Sequence, residues 1–431
     1  MQFEQLILDD KQQLVFDKFE HTSDNIFIQG SAGSGKSTFI NYLKTVSRKS
    51  ILVASPTAIA ALNVGGVTLH SLFRLPVSDF IEISEIHKTN RAVLKRIIKH
   101  TDAIVIDEIS MVRPDVLDAI DEILRTIKRS KKPFGGLQML FMGDLCQLPP
   151  VITSNVYDIF LDKYGIKTPY FFDSEAYIRG DFQCFEFNHI YRQDDSVLLD
   201  NLNKLRDADN EDLYNTIKYF NGLVVNSKQR WEEAVLITPY KKIAESINTQ
   251  RLEALTTKEM TYKGTCVGSF EKMSDLPSPK SLKLKVGALV IFNKNNTDIW
   301  SNGTQGIVEK LDKNHINVRL LNSGNTVIVT RETWVAKKYN YNTITEKVEE
   351  EEIGSYIQFP LQLGYAMTIH KAQGKTLDKV VVDMDKGAFA HGQLYVALSR
   401  TRKKEDMQLI TPISRRDAII DTRISNFLER I

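Results

Sequence analysis

Gly30-Ser31-Ala32-Gly33-Ser34-Gly35-Lys36-Ser37 follows the apolar run Ile26-Phe27-Ile28 and precedes a helical stretch from Thr38 to Val46. The octapeptide has the spacing G-x-x-x-x-G-K-S/T, and strand, loop and helix in that order are the context the motif requires. Its glycines let backbone N–H groups curl into a nest around phosphate oxygens at a helix N-terminus, where the helix dipole also favours negative charge. Lys36 supplies a point charge for the β and γ oxygens, and the Ser37 hydroxyl is suited to a magnesium ion. Residues Gly30 to Thr38 therefore read as a site for a nucleoside triphosphate.

Outward from this loop, short apolar runs recur between helical patterns: Ile51-Leu52-Val53, Ile104-Val105-Ile106 and Met139-Leu140-Phe141. Continuous apolar runs of that length read as strands of a parallel sheet covered on both faces. A second set follows at Ala234-Val235-Leu236-Ile237, Val380-Val381-Val382 and Leu409-Ile410, which predicts a second, similar α/β lobe. Between them, from about 257 to 359, Asn and Gly turns separate alternating segments such as Ile316-Asn317-Val318-Arg319-Leu320. That is hairpin chemistry, and it predicts a small β-barrel insert, ending in a solvated acidic loop at Glu349 to Glu352. The expected boundaries are 1–170 for the first lobe, with a small insertion near 74–90, then 171–256 with 360–431 for the second lobe, and 257–359 for the insert.

Composition limits the alternatives without choosing among them. The chain has 431 residues, 42% hydrophobic and 26% charged, which suits two or three soluble globular domains. No run approaches the roughly 20 apolar residues that cross a bilayer, and the acidic, mixed start resembles no targeting segment. Cys146, Cys184 and Cys266 lie far apart without metal-ligand spacing, which predicts free buried thiols in a reducing cytoplasm. Net charge is +2, so no polyanion partner is advertised, and the basic cluster Arg91, Lys95, Arg96 and Lys99 reads as a solvated helix face.

Triphosphate hydrolysis needs more than a cradle. Asp107 and Glu108 end the apolar run Ile104-Val105-Ile106, at the carboxyl edge where open α/β sheets bind ligands. Asp107 is placed to hold magnesium and Glu108 to polarise the attacking water. Charge that builds on the γ-phosphate calls for cations from across a cleft, and Arg192 and Arg400, in Tyr191-Arg192-Gln193 and Ser399-Arg400-Thr401-Arg402, are the candidates.

From these residues onward the chain resembles the Pif-one family, in the B branch of superfamily-one helicases, in order and over nearly its whole length. Leu8-x-x-x-Gln12-x-x-x-Phe16 resembles the Q motif, which implies that Gln12 reads the adenine edge. Ala54-Ser55-Pro56-Thr57-Ala58 and Thr68-Leu69-His70-Ser71-Leu72-Phe73 resemble motifs Ia and Ib, and Gly143-Asp144-x-x-Gln147-Leu148-Pro149-Pro150-Val151 resembles motif III. The resemblance makes Gln147 a γ-phosphate sensor. Pro133-Phe134-Gly135-Gly136-Leu137-Gln138 is similar to the signature that separates this family from its RecD-like relatives. Arg192 falls in motif IV, the stretch from Leu363 to Gly374 resembles motif V, and the stretch from Gln393 to Arg402 resembles motif VI.

The resemblance implies two RecA-like lobes with ATP between them, magnesium as cofactor, and an ATP-dependent DNA helicase moving 5′→3′. Strand contacts would come from Pro56, Thr57, Thr68 and His70 on one lobe and Thr368 and His370 on the other, His370 being otherwise a cap of the motif V turn. Tyr191 is either a platform for adenine or a buried core tyrosine. The partners implied are single-stranded DNA and junctions with duplex, with a monomer in isolation and a dimer allowed on DNA. The insertion from Leu75 to Thr89 is a candidate wedge. The rival readings are a translocase or RNA-directed motor that opens no DNA duplex, and a nucleic-acid clamp with a dead ATPase. The chain starts at the Q motif and stops soon after motif VI, which suggests a minimal prokaryotic or phage-like motor.

Overall fold

A computed structural model describes residues 7–87, 91–190, 195–206, 211–226, 229–273, 275–296 and 299–430 of the chain. The first lobe is built on six parallel strands: β1 (Ile26–Gly30), β2 (Ile51–Ser55), β3 (Val67–Thr68), β4 (Ala103–Ile106), β5 (Gln138–Gly143) and β6 (Gln183–Phe187). They lie in the order β3-β2-β4-β5-β1-β6. The apolar runs are continuous because both faces are covered. Phe27, Leu52, Ile104, Ile106 and Phe141 enter one core, and Ile26, Ile28, Val53, Val105 and Leu140 enter the other. Helix α1 (Asp10–His21) and helix α2 (Lys36–Val46) close the second of these faces with Val15, Phe19, Phe39, Ile40 and Leu43. A reciprocal cap holds the start of α1: Asp9 accepts from the Gln12 N–H, and Gln12 Oε1 accepts from the Asp9 N–H.

Strand β6 corrects the boundary expected at 170. It pairs in parallel with β1 along its whole length, and Phe171 and Ala176 lie in the first core. The turn-rich stretch around 170 hid this, because it connects two elements of one lobe. A second correction comes from the far end of the chain. The helix Thr422–Leu428 leaves the second lobe and docks on the first, with Ile424 fully buried in its core and Phe427 stacked on Phe172 at 4.4 Å. Arg423 secures the crossing through Asp421 and the Thr168 carbonyl.

The second sheet has four parallel strands, in the order Ala366–Thr368, Val235–Thr238, Val380–Val382, Met407–Leu409. The β-rich segment between its strands folds as antiparallel sheets of five, three and two strands. Ile316–Leu320 alternates buried and half-buried as its sequence predicts, and Gly324, at φ +73°, makes the turn that follows. The acidic run is not a loop. It lies in the strand Lys347–Gln358, paired with Glu332–Asn342, because lysines face it: Lys337 meets Glu350 at 2.6 Å and Lys338 meets Glu351 at 3.2 Å. This long hairpin reaches the first lobe, where Tyr339 Oη accepts from the Val53 N–H at 3.0 Å and Tyr341 stacks on His100 at 4.1 Å.

The segment after Arg74 is seated on the first core by Leu75, Ile81 and Ile86, with the Ile81 N–H bound to Asp115 at 2.8 Å. Val77 stands out at 95% exposure. Residues 88–90 of this insertion lie outside the described residues. The stretch Pro133–Gly136 forms a tight turn rather than a helix end: Phe134 is buried against Phe141 and Phe182, and Gly135, at φ +68°, has a backbone carbonyl 2.7 Å from where a Cβ would sit. Arg91, Lys95, Arg96 and Lys99 flank or ride on the helix Ala92–Lys99 while Leu94, Ile97 and Ile98 face the core. The three thiols are free; Cys146 is buried, and Cys184 and Cys266 are half-buried. Among the described residues no helix is long and apolar enough to cross a membrane.

Candidate nucleotide site and strand-contact residues

The loop after β1 wraps the N-terminus of α2, and Gly33 and Gly35 take φ values of +88° and +83° that side chains disfavour. Gly30 is crowded, since a Cβ there would fall 2.5 Å from Ser34 Oγ and 3.2 Å from the Lys36 side chain, which would have to shift. Lys36 Nζ donates back to the carbonyls of Gly30 and Ser31 at 2.6 and 3.0 Å, so the ammonium hangs over the loop it serves. Ser34 Oγ is buried without a hydrogen-bond partner among the described residues. A cradle of this kind, with a buried hydroxyl and a poised cation, is suited to phosphate.

Ala32 through Thr38, Gln12, Asp107, Glu108 and Gln147 line one cavity of about 430 Å³, and Gly374, Thr376, Arg400 and Arg402 close it from the second half of the chain. Gln12 thus reaches the cavity while serving as a helix cap. Burial, and then the neighbouring Glu108, pushes the Asp107 carboxyl well above the usual aspartate range, against the opposing pull of the Lys36 ammonium and a hydrogen bond from the Glu108 backbone. A buried carboxyl in that condition gains from a cation beside it. Glu108 sits in the left-handed region at φ +54°, ψ +43°, a strained conformation of the type that collects at active sites. Gln373 Nε2 approaches its carboxylate at 3.5 Å.

Arg400 is fully buried. Its Nε donates to the Val396 carbonyl at 2.6 Å, and Nη1 donates to the Ala372 and Lys375 carbonyls at 3.2 and 3.3 Å. The guanidinium is therefore pre-set by its own lobe while lining the cavity. Tyr191 and Arg192 lie outside the described residues.

The proposed strand contacts stand apart from the cavity, at the carboxyl ends of neighbouring strands. Ser55, just before Pro56 and Thr57, pairs with Thr68, and Thr368 pairs with Thr238 on the other lobe. Three of these residues do the same local work. Thr57, Thr68 and Thr368 each cap a short helix, accepting from the N–H groups of Ala60, Ser71 and Lys371 at 3.2 to 3.3 Å. A threonine hydroxyl that accepts in this way still carries a proton to donate. His70 and His370 follow two residues after a cap in each lobe, so the Thr-x-His pattern is repeated with the same geometry. Burial and the Arg113 charge hold the His70 imidazole below the usual histidine range.

Asp144, within the Gly143-Asp144-x-x-Gln147 stretch, is a hydrogen-bond centre that its spacing alone does not reveal. It is buried and accepts from Gln29, Cys146 and Gln147, with Arg206 and Tyr395 beside it. Arg206 has no sequence signal at all; only the fold brings it there.

Residues 7–166 match the family model for PIF1-like helicase, and residues 363–404 match that for the UvrD-like helicase C-terminal domain. The ATP-dependent DNA helicase Pif1 of Campylobacter jejuni is 30% identical, over 92% of this chain and 91% of that protein. Bacteroides sp Pif1 in complex with ADP-AlF4 is 35% identical, covers 99% of this chain and 97% of that chain, and superposes with a TM-score of 0.89. Bacteroides Pif1 bound to ssDNA, 36% identical over the same shares, superposes at 0.69, so the parts of this chain are arranged more as in the former. The chain belongs to the Pif1 family of ATP-dependent DNA helicases.

Proposed function

We propose that this helicase walks 5′→3′ along single-stranded DNA and parts duplex or structured DNA where it meets a junction. The observation that supports it most is the two-sided cavity, with Lys36, Asp107, Glu108 and Gln147 on one wall and Thr376, Arg400 and Arg402 on the other. A triphosphate bound there gains partners from both lobes only when they approach, so binding favours closure and hydrolysis releases it. In this reading Lys36 holds the phosphates, Glu108 orients water, Gln147 senses the γ-phosphate, and Arg192 and Arg400 meet the developing charge. Gln12 and Tyr191 take the adenine.

Asp107 and Ser37 are the residues that would hold magnesium, which fits a buried carboxyl whose proton affinity is raised by burial and by Glu108. The ion would supply positive charge to the phosphate oxygens. Strand contacts by Pro56, Thr57, Thr68 and His70 against Thr368 and His370 then alternate between lobes, turning closure into a step. Contacts of this kind go to the backbone, so binding is sequence-tolerant and weakens with salt. The exposed loop at Val77 is the proposed wedge. The protein works in the cytoplasm, as a monomer in isolation with a second copy joining on DNA.

Duplexes with a 5′ or a 3′ single-stranded tail test the proposal, with ATP present throughout. Opening of the 5′-tailed duplex alone is expected, and opening of only the 3′-tailed one reverses the assigned direction. Unwinding that persists after residues 76–79 are replaced by a short glycine turn removes the wedge.

A further inference from the structure

Asp144 is fully buried and is approached from both lobes. From the first lobe, the side-chain amides of Gln29 and Gln147 donate to its two oxygens at 3.0 and 2.9 Å, and the Cys146 N–H donates at 3.2 Å. From the second half of the chain, an Arg206 guanidinium nitrogen and the Tyr395 hydroxyl each stand 3.5 Å away. The first three distances are formed hydrogen bonds, whereas the last two are at the outer limit of contact. The carboxylate is therefore fixed to the first lobe, and the second-lobe groups are the ones with travel left. Arg206 lies over the Tyr395 ring at 5.8 Å, and its Nε is buried without an acceptor among the described residues. A buried donor in that state gains by re-pairing.

Two further contacts carry this cluster to the nucleotide. Gln147 lines the cavity, and its amide nitrogen is the group that Asp144 holds. Tyr395 lies on the helix Gln393–Leu398, which runs directly into Arg400 on the opposite wall of the same cavity. The backbones touch as well, since a Cβ on Gly392 would fall 2.4 Å from the Gln147 carbonyl oxygen. One carboxylate thus joins the nucleotide-facing groups of both lobes.

We infer that Arg206 and Tyr395 are positioning residues for ATP hydrolysis, acting through Asp144 to set the Gln147 amide as the lobes close. The inference rests on the γ-phosphate role proposed above for Gln147. Closure draws the guanidinium and the phenol onto Asp144, and the carboxylate they fix holds Gln147 in one orientation. Arginine suits the post because it stays charged when buried and offers several donors in a rigid plane. Neither residue touches the nucleotide.

The test is ATP hydrolysis at saturating single-stranded DNA by variants of the full chain: Gln147→Ala, Tyr395→Phe, the pair Asp144→Asn with Arg206→Met, and that pair combined with Gln147→Ala. Removing both charges together leaves no uncompensated carboxylate in the interior. Affinity for a fluorescent ATP analogue reports whether the site is formed. The pair and Tyr395→Phe are expected to bind the analogue as the wild type does and to lose about tenfold to a hundredfold in kcat. The combined variant is expected to be no slower than Gln147→Ala, because groups that act through one residue do not add.

A wild-type rate in the pair, losses that multiply in the combined variant, or loss of analogue binding in the pair each overturns the inference. A wild-type rate in Gln147→Ala overturns the role of Gln147 and the inference with it. A slow Gln147→Ala beside a normal pair overturns the inference alone.

Discussion

Ile424→Ala tests whether the last helix of the chain is part of the first lobe. Ile424 is fully buried among first-lobe residues, although it follows every strand of the second sheet in sequence. Truncating isoleucine to alanine in a closed core costs about 2–5 kcal/mol, through lost transfer energy and the cavity left behind. Phe427, three residues on, packs against Phe27, Phe171, Phe172 and Tyr177, so the surrounding rings are too interlocked to collapse into the gap. Taking about 3 kcal/mol, and roughly 2–4 °C per kcal/mol for a unit of this size, the first unfolding transition falls by about 6–12 °C. Scanning calorimetry measures it, with exposed Asn426→Ala as the control. Hydrogen exchange should rise at Phe171–Asp173 and in β1, which the helix covers. A transition unmoved by Ile424→Ala, or exchange that rises only in the second sheet, refutes the docking of this helix as a stabilising contact.

Three further outcomes follow from particular contacts. Gly30→Ala places a methyl group 2.5 Å from Ser34 Oγ, so ATP affinity is expected to fall by about tenfold while the unfolding transition stays near that of the wild type; titration with a fluorescent nucleotide measures it, and unchanged affinity contradicts the crowding. Tyr339→Phe leaves the buried Val53 N–H without its phenol acceptor and should cost about 1–3 kcal/mol in a denaturant titration, whereas an unchanged midpoint would show that the hairpin does not dock there. His391 accepts from the Asp421 N–H through Nδ1, which places the ring proton on Nε2 facing the Leu145 carbonyl, and burial holds its pKa below the usual value. The unfolded chain therefore takes up a proton at higher pH than the folded one, so stability is intact above about 6.5 and declines as pH falls below it. His391→Gln should flatten that decline, and a pH profile identical to wild type would remove His391 as its cause.

The phosphate loop, the Asp107-Glu108 pair and the parallel strands were legible because each is local. A strand of apolar residues, a glycine nest and a carboxylate at a strand end are all written in consecutive positions. The repeated Thr-x-His caps were legible as motifs, although their shared geometry needed the backbone. What escaped was long-range. β6 belongs to the first sheet because its register matches β1 across more than 150 residues, and nothing near Gln183 says so. The acidic run reads as a loop until Lys337 and Lys338 are placed opposite it, and in the strand its four carboxylates stay exposed. Arg206 carries no signature, and its place beside Asp144 follows from how two lobes meet. The helix Thr422–Leu428 has a sequence that suits either lobe, and only the aromatic cluster on the first one selects its seat.

Steady-state ATPase with and without single-stranded DNA, on the wild type and on Lys36→Ala, bears most directly on the account of a motor with ATP between its lobes. The account predicts strong stimulation by DNA in the wild type, and loss of about 10²–10³ in kcat when the Lys36 ammonium is removed from the phosphates. Hydrolysis that is abolished in the mutant but indifferent to DNA in the wild type would contradict the coupling of this cleft to a strand.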